Sequence, residues 1–303
     1  MGRAHLIETR KFLIGLAVAV TLLLVPACMV RRQTRIKPSQ LPPPSLEASL
    51  ANLVARLNSK SQSIHTLNAT VDLEPAAGSI YSGVIKEYHD VKGFILVESP
   101  ALIRMQGQAP VVRTNVFDMA SNGEEFRLYI PSKQKFIVGK TTFRRPAKNS
   151  LENMRPQHIL EALLVPPLDA SHEKCFLEEA EEGARRFYVV GIVEPADSEG
   201  LRLKRKAWFD RADLELARMQ FYESDGVYVE DVHYSGYQDF QGISYPSHIE
   251  VARPIEDYRL AITILKATFN EAIEPEKFIL NQPEGVQLVD LTAKAQQENP
   301  RDQ

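Results

Sequence analysis

From Ile64 onward the chain changes its period. Apolar and polar side chains alternate in short runs, and a turn signal ends each run. Alternation of this kind is the signature of strands with one buried face. The first set of runs covers residues 66–73, 79–89, 93–98, 101–107, 111–120, 125–130 and 135–138, separated by signals such as Ser99-Pro100, Ser121-Asn122-Gly123 and Pro131-Ser132-Lys133. A second set covers 175–178, 185–193, 201–209, 214–223, 227–237, 243–252 and 258–269. The connections are too short for the crossover that parallel neighbours need, so the strands must pair as antiparallel hairpins.

Two helices interrupt the strands. Ser45 caps the first, in which Leu46, Leu50, Leu53, Val54 and Leu57 form one stripe up to about Ser61. The second spans 150–164, with Leu151, Met154, His158, Ile159 and Leu163 on one broad face. Within that stretch Pro156 starts the helix proper at its first turn, and Pro166 and Pro167 stop it. After Asn270 the alternation fails. Ile273, Phe278, Ile279 and Leu280, then Val286, Leu288, Val289 and Leu291, predict an extended tail lying on the body. The fold class expected is mainly β with helices, and the body runs from 45 to 291, with a polar tail at 292–303.

The N-terminus sets the compartment. Arg3, Arg10 and Lys11 precede an apolar run from Phe12 to Val25, about 14 residues against the roughly 20 that a spanning helix needs. A basic start, a short apolar core and a small residue before the cut describe an export signal over 1–27. Val25-Pro26-Ala27-Cys28 resembles the lipobox of bacterial lipoproteins. That resemblance implies an acylated Cys28 (palmitate is among the expected acyl groups) and a membrane tether. The alternative is an ordinary secretory signal with Cys28 as a free thiol. Residues 28–44 then form a linker, in which Lys37-Pro-Ser-Gln-Leu-Pro-Pro-Pro44 favours polyproline II. At roughly 3.1 Å per residue it reaches up to about 50 Å from the anchor. Arg31, Arg32, Arg35 and Lys37 suit either anionic headgroups or a solvated tail.

Composition excludes several classes. The formal net charge is −3, so no global basic field is available for nucleic acid. With Cys28 acylated, Cys175 stands alone and no internal disulfide can form. No cysteine–histidine cluster has zinc spacing, and no nucleophile elbow, His-Glu-x-x-His or phosphate loop occurs, so neither cofactor nor metal is expected. His233 lies two residues after Asp231 on one strand face, but no nucleophile pattern accompanies the pair. The chain is expected not to be an enzyme.

Several stretches of the body stand out: Ile64-His-Thr-Leu-Asn-Ala-Thr70, Gly93-Phe-Ile-Leu-Val-Glu-Ser-Pro-Ala-Leu-Ile-Arg-Met105 and Asn122-Gly-Glu-Glu-Phe-Arg-Leu-Tyr-Ile-Pro131. They continue in Gly242-Ile-Ser-Tyr-Pro-Ser-His-Ile249, Thr268-Phe-Asn270, Pro275, Phe278 and Pro283-Glu-Gly-Val286. In these stretches, taken in order, the body resembles the lipoprotein-localisation factors LolA and LolB. The signal, spacer and body are arranged as in LolB, which is itself anchored. This chain is longer and carries an acidic insert at 169–182. The resemblance implies an unclosed antiparallel barrel whose helices cover an apolar cavity for acyl chains. It implies a role in lipid or lipoprotein sorting, with lipidated cargo and a soluble periplasmic carrier as partners. Met29 after the cysteine implies the outer membrane.

A concave apolar wall removes acyl chains from water at roughly 0.8 kcal/mol per CH₂. Candidate wall residues are Phe94, Leu96, Ile103, Met105, Trp208, Met219 and Phe221. Met154, Ile159 and Leu163 mark the second helix as either a mobile lid or a permanent plug. Arg104 lies on the face opposite Ile103 and Met105, and resembles an arginine that ties lid to barrel. The alternative to a carrier is an anchored structural or assembly protein whose half barrel is filled.

Overall fold

In a computed structural model, the described residues are 44–77, 86–87, 91–109, 114–142, 155–196, 200–223 and 225–292. The signal, Cys28 and most of the spacer lie outside them, as do Met154, the expected strand 79–89 except its residues 86–87, and residues 293–303 of the tail.

Helix α1 (Leu50–Ser63) begins one turn later than the sequence suggests. Ser49 is the cap, and its hydroxyl accepts from the Asn52 N–H. The reason lies upstream. The Leu46 N–H donates to the Arg211 carbonyl, and the Glu47 carboxylate takes bonds from Arg211 and from the Tyr188 hydroxyl. These contacts hold residues 45–48 out of the helix. Leu53 and Leu57 carry the buried stripe, and Leu46 is left largely exposed.

The strands follow in two meanders. The first comprises β1 (Thr66–Ala77), the short β2 (Lys86–Glu87), β3 (Val91–Glu98), β4 (Leu102–Gln108), β5 (Asn115–Ser121), β6 (Glu125–Ile130) and β7 (Lys135–Lys140). Helix α2 (Pro156–Leu163) interrupts them. The second comprises β8 (Lys174–Glu182), β9 (Arg185–Ala196), β10 (Gly200–Asp210), β11 (Leu216–Tyr222), β12 (Tyr228–Phe240), β13 (Ile243–Arg253) and β14 (Tyr258–Phe269). The tail supplies β15 (Gln287–Asp290). All form one sheet in the order β15-β7-β6-β5-β4-β3-β1-β14-β13-β12-β11-β10-β9-β8, with β2 paired to β1. Strand β1 joins the meanders by pairing with both β3 and β14. Every pairing is antiparallel except β15 on β7, because the tail returns along the outer edge instead of through a hairpin.

The sheet does not close, since β15 and β8 end the path. It nevertheless wraps one core. Ile137 near one edge and Ile192 near the other belong to the same buried cluster, with Leu67, Val71, Ile95, Met105 and Ile262 between them. Packing on this inner face is tight. A Cβ added at Gly93 would come within 2.6 Å of Val71 and Leu73, and one at Gly107 within 2.4 Å of Phe117. Only glycine lets the facing side chains occupy that space.

Candidate functional site

The inner face is the expected binding wall, and α2 sits in it. Pro156 opens the helix at its first position, where a missing N–H is harmless. Ile159, Leu160, Ala162 and Leu163 are all at most 3% exposed, and they belong to the same cluster as the sheet's inner face. Two buried tyrosines hold the other end. The Tyr234 hydroxyl donates to the Ala162 carbonyl at 3.0 Å and the Tyr245 hydroxyl to the Leu163 carbonyl at 2.9 Å. These bonds satisfy carbonyls that a helix C-terminus otherwise leaves without intrahelical partners. Beyond the helix, the Leu168 N–H donates to Asn58 of α1, and Arg205 donates to the Pro167 carbonyl. The space left beneath this end of α2 is about 20 Å³, room for a single water. The concavity is therefore occupied by the protein's own helix in this structure.

The candidate wall residues divide by strand parity. Ile103, Met105 and Met219 are fully buried on the inner face, and Phe221 packs partly buried at its edge. Phe94 and Leu96 do not belong to the wall. Phe94 is 42% exposed and Leu96 half-buried, while Ile95 and Val97 point inward. The whole segment Phe94-Ile-Leu-Val97 is apolar, so hydrophobicity alone gives no phase, and the register with β1 and β4 decides it. Trp208 is also on the outer face. It packs edge-on against Phe187 at 5.7 Å and its indole N–H donates to Gln220, while Ala207 takes the inward position.

Arg104 ties a different element from the one expected. Its guanidinium makes a two-point bond to Asp118, at 3.1 and 2.8 Å, and donates to the carbonyls of Lys277 and Ile279. Arg127 donates to the Leu280 carbonyl. Leu280 packs with Ala120 and Phe136 in a small second core on the outer face. Arg104 thus fastens the C-terminal segment to the outside of the sheet, away from α2, whose seat is the inner face.

At the mouth of the concavity lies a second feature, a cleft of about 450 Å³. Glu161 of α2, Arg202 and Lys204 of β10, Glu230 of β12, Arg253 of β13 and Glu256 beyond it all line it. Glu230 and Arg253 are buried and paired through Glu230 Oε2 and Arg253 Nη1, and Arg253 Nη2 reaches Glu256 at 2.7 Å. Burial, opposed by Arg253, pushes the Glu230 carboxyl up to about 8. Burial also raises Glu161, against a hydrogen bond with Gln157. The sequence carried a signal for this cleft. Glu230 is in phase with inward Val232 and Tyr234, and Arg253 with inward Ile249 and Val251. A charge at a core parity is expensive unless it is paired, and these two are.

Other polar groupings have local roles. His233 Nε2 lies 3.3 Å from Asp231, which Arg218 also grips at two points. Ser171, His172 and Asp169 meet in an exposed turn, but serine and aspartate both bond the same imidazole nitrogen, Nδ1, so the ring has no free route to relay a proton between them. Among the described residues no group of three or more His, Cys, Asp or Glu side chains is disposed to hold a metal ion.

No family model matches the chain, and no curated protein matches it in sequence. Solved structures do match in fold. A DUF1329 family protein from Desulfovibrio piger aligns with a TM-score of 0.50 at 12% identity, over 75% of this chain and 94% of the other. A LolA superfamily protein from Nitrosomonas europaea aligns at 0.46 and 12% identity, over 75% and 97%. A structure described as an outer membrane lipoprotein-sorting protein domain, from Vibrio parahaemolyticus, aligns at 0.47 and 10% identity, over 75% and 94%. At 12% identity the likeness to the DUF1329 family protein is one of fold alone: the chain is a mainly β protein with few helices and a single unclosed sheet, antiparallel except at β15.

Proposed function

We propose that this is an envelope protein, tethered through Cys28, that takes up the acyl chain of a lipid or lipidated protein in the place α2 now occupies. The observation that carries the reading is the plug itself: an eight-residue helix seated on the inner face of an open sheet. Magnitudes make exchange feasible. Ile159, Leu160 and Leu163 are the large aliphatic side chains α2 buries. At roughly 1.5–3 kcal/mol each, an acyl chain that buries roughly six to eleven CH₂ groups replaces their contribution. A palmitoyl-length chain exceeds that range. The two tyrosine bonds add about 1 kcal/mol each in favour of the helix. The balance favours the filled state without ligand and leaves room for a guest to displace it. Sorting or transport of lipidated cargo to the outer membrane, with a soluble carrier as donor, extends the same reading.

A second reading is favoured by those tyrosines and by the 20 Å³ of residual space. In it the plug is permanent, and the protein is an anchored assembly or structural component. One experiment separates the two. Lipid extracted from the purified protein is identified by mass spectrometry, and uptake of a fluorescent fatty acid is measured on the same sample. Carriage predicts co-purified acyl chains or saturable uptake. A blank in both assigns the scaffold role.

A further inference from the structure

The cleft at the mouth is not accounted for by acyl-chain binding, since its walls are charged. Its charges are also sorted. On the α2 and β12–β13 side, three carboxyl groups (Glu161, Glu230 and Glu256) outnumber two arginines, Arg253 and Arg155. On the β10 side, two cations, Arg202 and Lys204, share Glu194 at 2.8 and 3.3 Å. Behind Lys204, Glu173 takes one further bond from it at 2.9 Å. The deep side also holds polar groups that the fold leaves unused. Glu230 is 1% exposed and Arg253 5%, yet Glu230 Oε1 and Arg253 Nε have no hydrogen-bond partner among the described residues. Gln157 Oε1, also in the lining, has none either. Buried polar atoms are nearly always satisfied in folded proteins, so such a group facing a cleft marks a place where a partner binds.

We infer that the cleft binds a zwitterion, with a primary ammonium among Glu161, Glu230 and Gln157 and an anionic phosphate or carboxylate against Arg202 and Lys204. An ammonium offers three donors to the acceptors on the deep side, and a phosphate or carboxylate suits the cationic wall. A volume of about 450 Å³ accommodates a group the size of phosphoethanolamine. The chemistry has two sources, an ethanolamine lipid headgroup or a free small zwitterion. The lipid source rests on the acyl-chain reading above, because the cleft adjoins the helix that the chain would displace. The zwitterion site itself does not need it.

Ionisation gives an independent readout. The charged groups facing Glu230 are Arg253 and Glu256 on the β13 side and Glu161 on α2, and the neutral titratable groups are the phenols of Tyr234 on β12 and Tyr258 on β14. With Glu230 at about 8, its carboxyl is largely protonated at pH 7 in the free protein. An arriving ammonium favours the carboxylate, so binding releases protons and tightens as pH rises toward 8.

The test is isothermal titration calorimetry on the full chain with three probes: O-phosphoethanolamine, and dihexanoyl phosphatidylethanolamine and dihexanoyl phosphatidylglycerol as monomers. The ethanolamine lipid should bind about tenfold or more tightly than the glycerol lipid, the difference expected of a charge-assisted hydrogen bond. Glu161→Gln should remove that preference. Arg202→Ala, on the strand wall, should weaken both lipids alike. In buffers of different ionisation enthalpy, proton release should accompany the ethanolamine probes alone. Equal binding of free phosphoethanolamine and its lipid assigns a free solute, and tighter binding of the lipid assigns a headgroup. No ethanolamine preference, or a preference untouched by Glu161→Gln in a protein of unchanged melting temperature, overturns the inference. Fatty-acid uptake without ethanolamine preference would leave the acyl reading standing and remove this one.

Discussion

Two segments cover the first meander, one on each face, and they are held by different physics. Helix α2 lies inside, and its apolar side chains merge with the main core. Its direct ties to the sheet include two neutral hydrogen bonds from tyrosines. The C-terminal segment lies outside over residues 275–286, where it buries little apolar surface of its own, mainly Phe278 and Leu280, and it ends as the edge strand β15, whose Val289 joins the main core. It is fixed by arginine bonds to its carbonyls and by the β15 ladder on β7. Apolar burial is non-directional, so another hydrocarbon can substitute for it. Directional bonds to particular carbonyls have no such substitute. On the proposed function, the inner cover is the exchangeable one and the outer cover is structural.

The largest effect should come from breaking the outer fastening. Arg104→Ala removes four hydrogen bonds and leaves Asp118, which is 5% exposed, with Gln106 as its remaining side-chain partner among the described residues. A loss of about 3–5 kcal/mol in urea denaturation is expected, the range for an uncompensated buried charge. Leu163→Ala attacks the inner cover by making a cavity, and should destabilise by about 2–5 kcal/mol. Unlike Arg104→Ala, it should also increase uptake of a fluorescent fatty acid, because it weakens the resident competitor. If Arg104→Ala increased uptake equally, the distinction between the two covers would fail.

Much of this division was legible in the sequence. The strands, their antiparallel pairing and the tail lying on the body follow from period and turn chemistry, whereas the unclosed sheet was implied by the resemblance to LolA and LolB. Pro156 marked the start of α2 correctly. Phase was harder to read. In Phe94-Ile-Leu-Val97 every residue is apolar, so the face was settled by hydrogen-bond register with β1 and β4, which are distant or unreadable in local pattern. Ser45 looked like a cap, but Arg211, more than 160 residues away, binds Leu46 and Glu47 and keeps them out of the helix, which waits for Ser49. The role of Arg104 depended on where residues 277–279 return, which no local periodicity encodes. The charged cleft left a trace in Glu230 and Arg253 at inward parity, although strand charges ordinarily read as solvated.

Smaller perturbations sharpen the contrast. Tyr245→Phe removes one bond to the Leu163 carbonyl and should cost about 1 kcal/mol. Combined with Tyr234→Phe it should raise fatty-acid uptake further, with little change in the outer segment. Arg127→Ala should have the least effect, about 0.5–1 kcal/mol, because its side chain is 42% exposed and its Glu125 pair is screened by water. Thermal melts of the three variants give the ranking.

The most direct test follows hydrogen–deuterium exchange of the peptide covering Pro156–Leu163 with and without saturating palmitate. If a guest takes the place of α2, those amides should lose protection on loading while residues 275–290 keep theirs. Bound palmitate with the protection of α2 unchanged would place the ligand elsewhere and contradict exchange at the inner face.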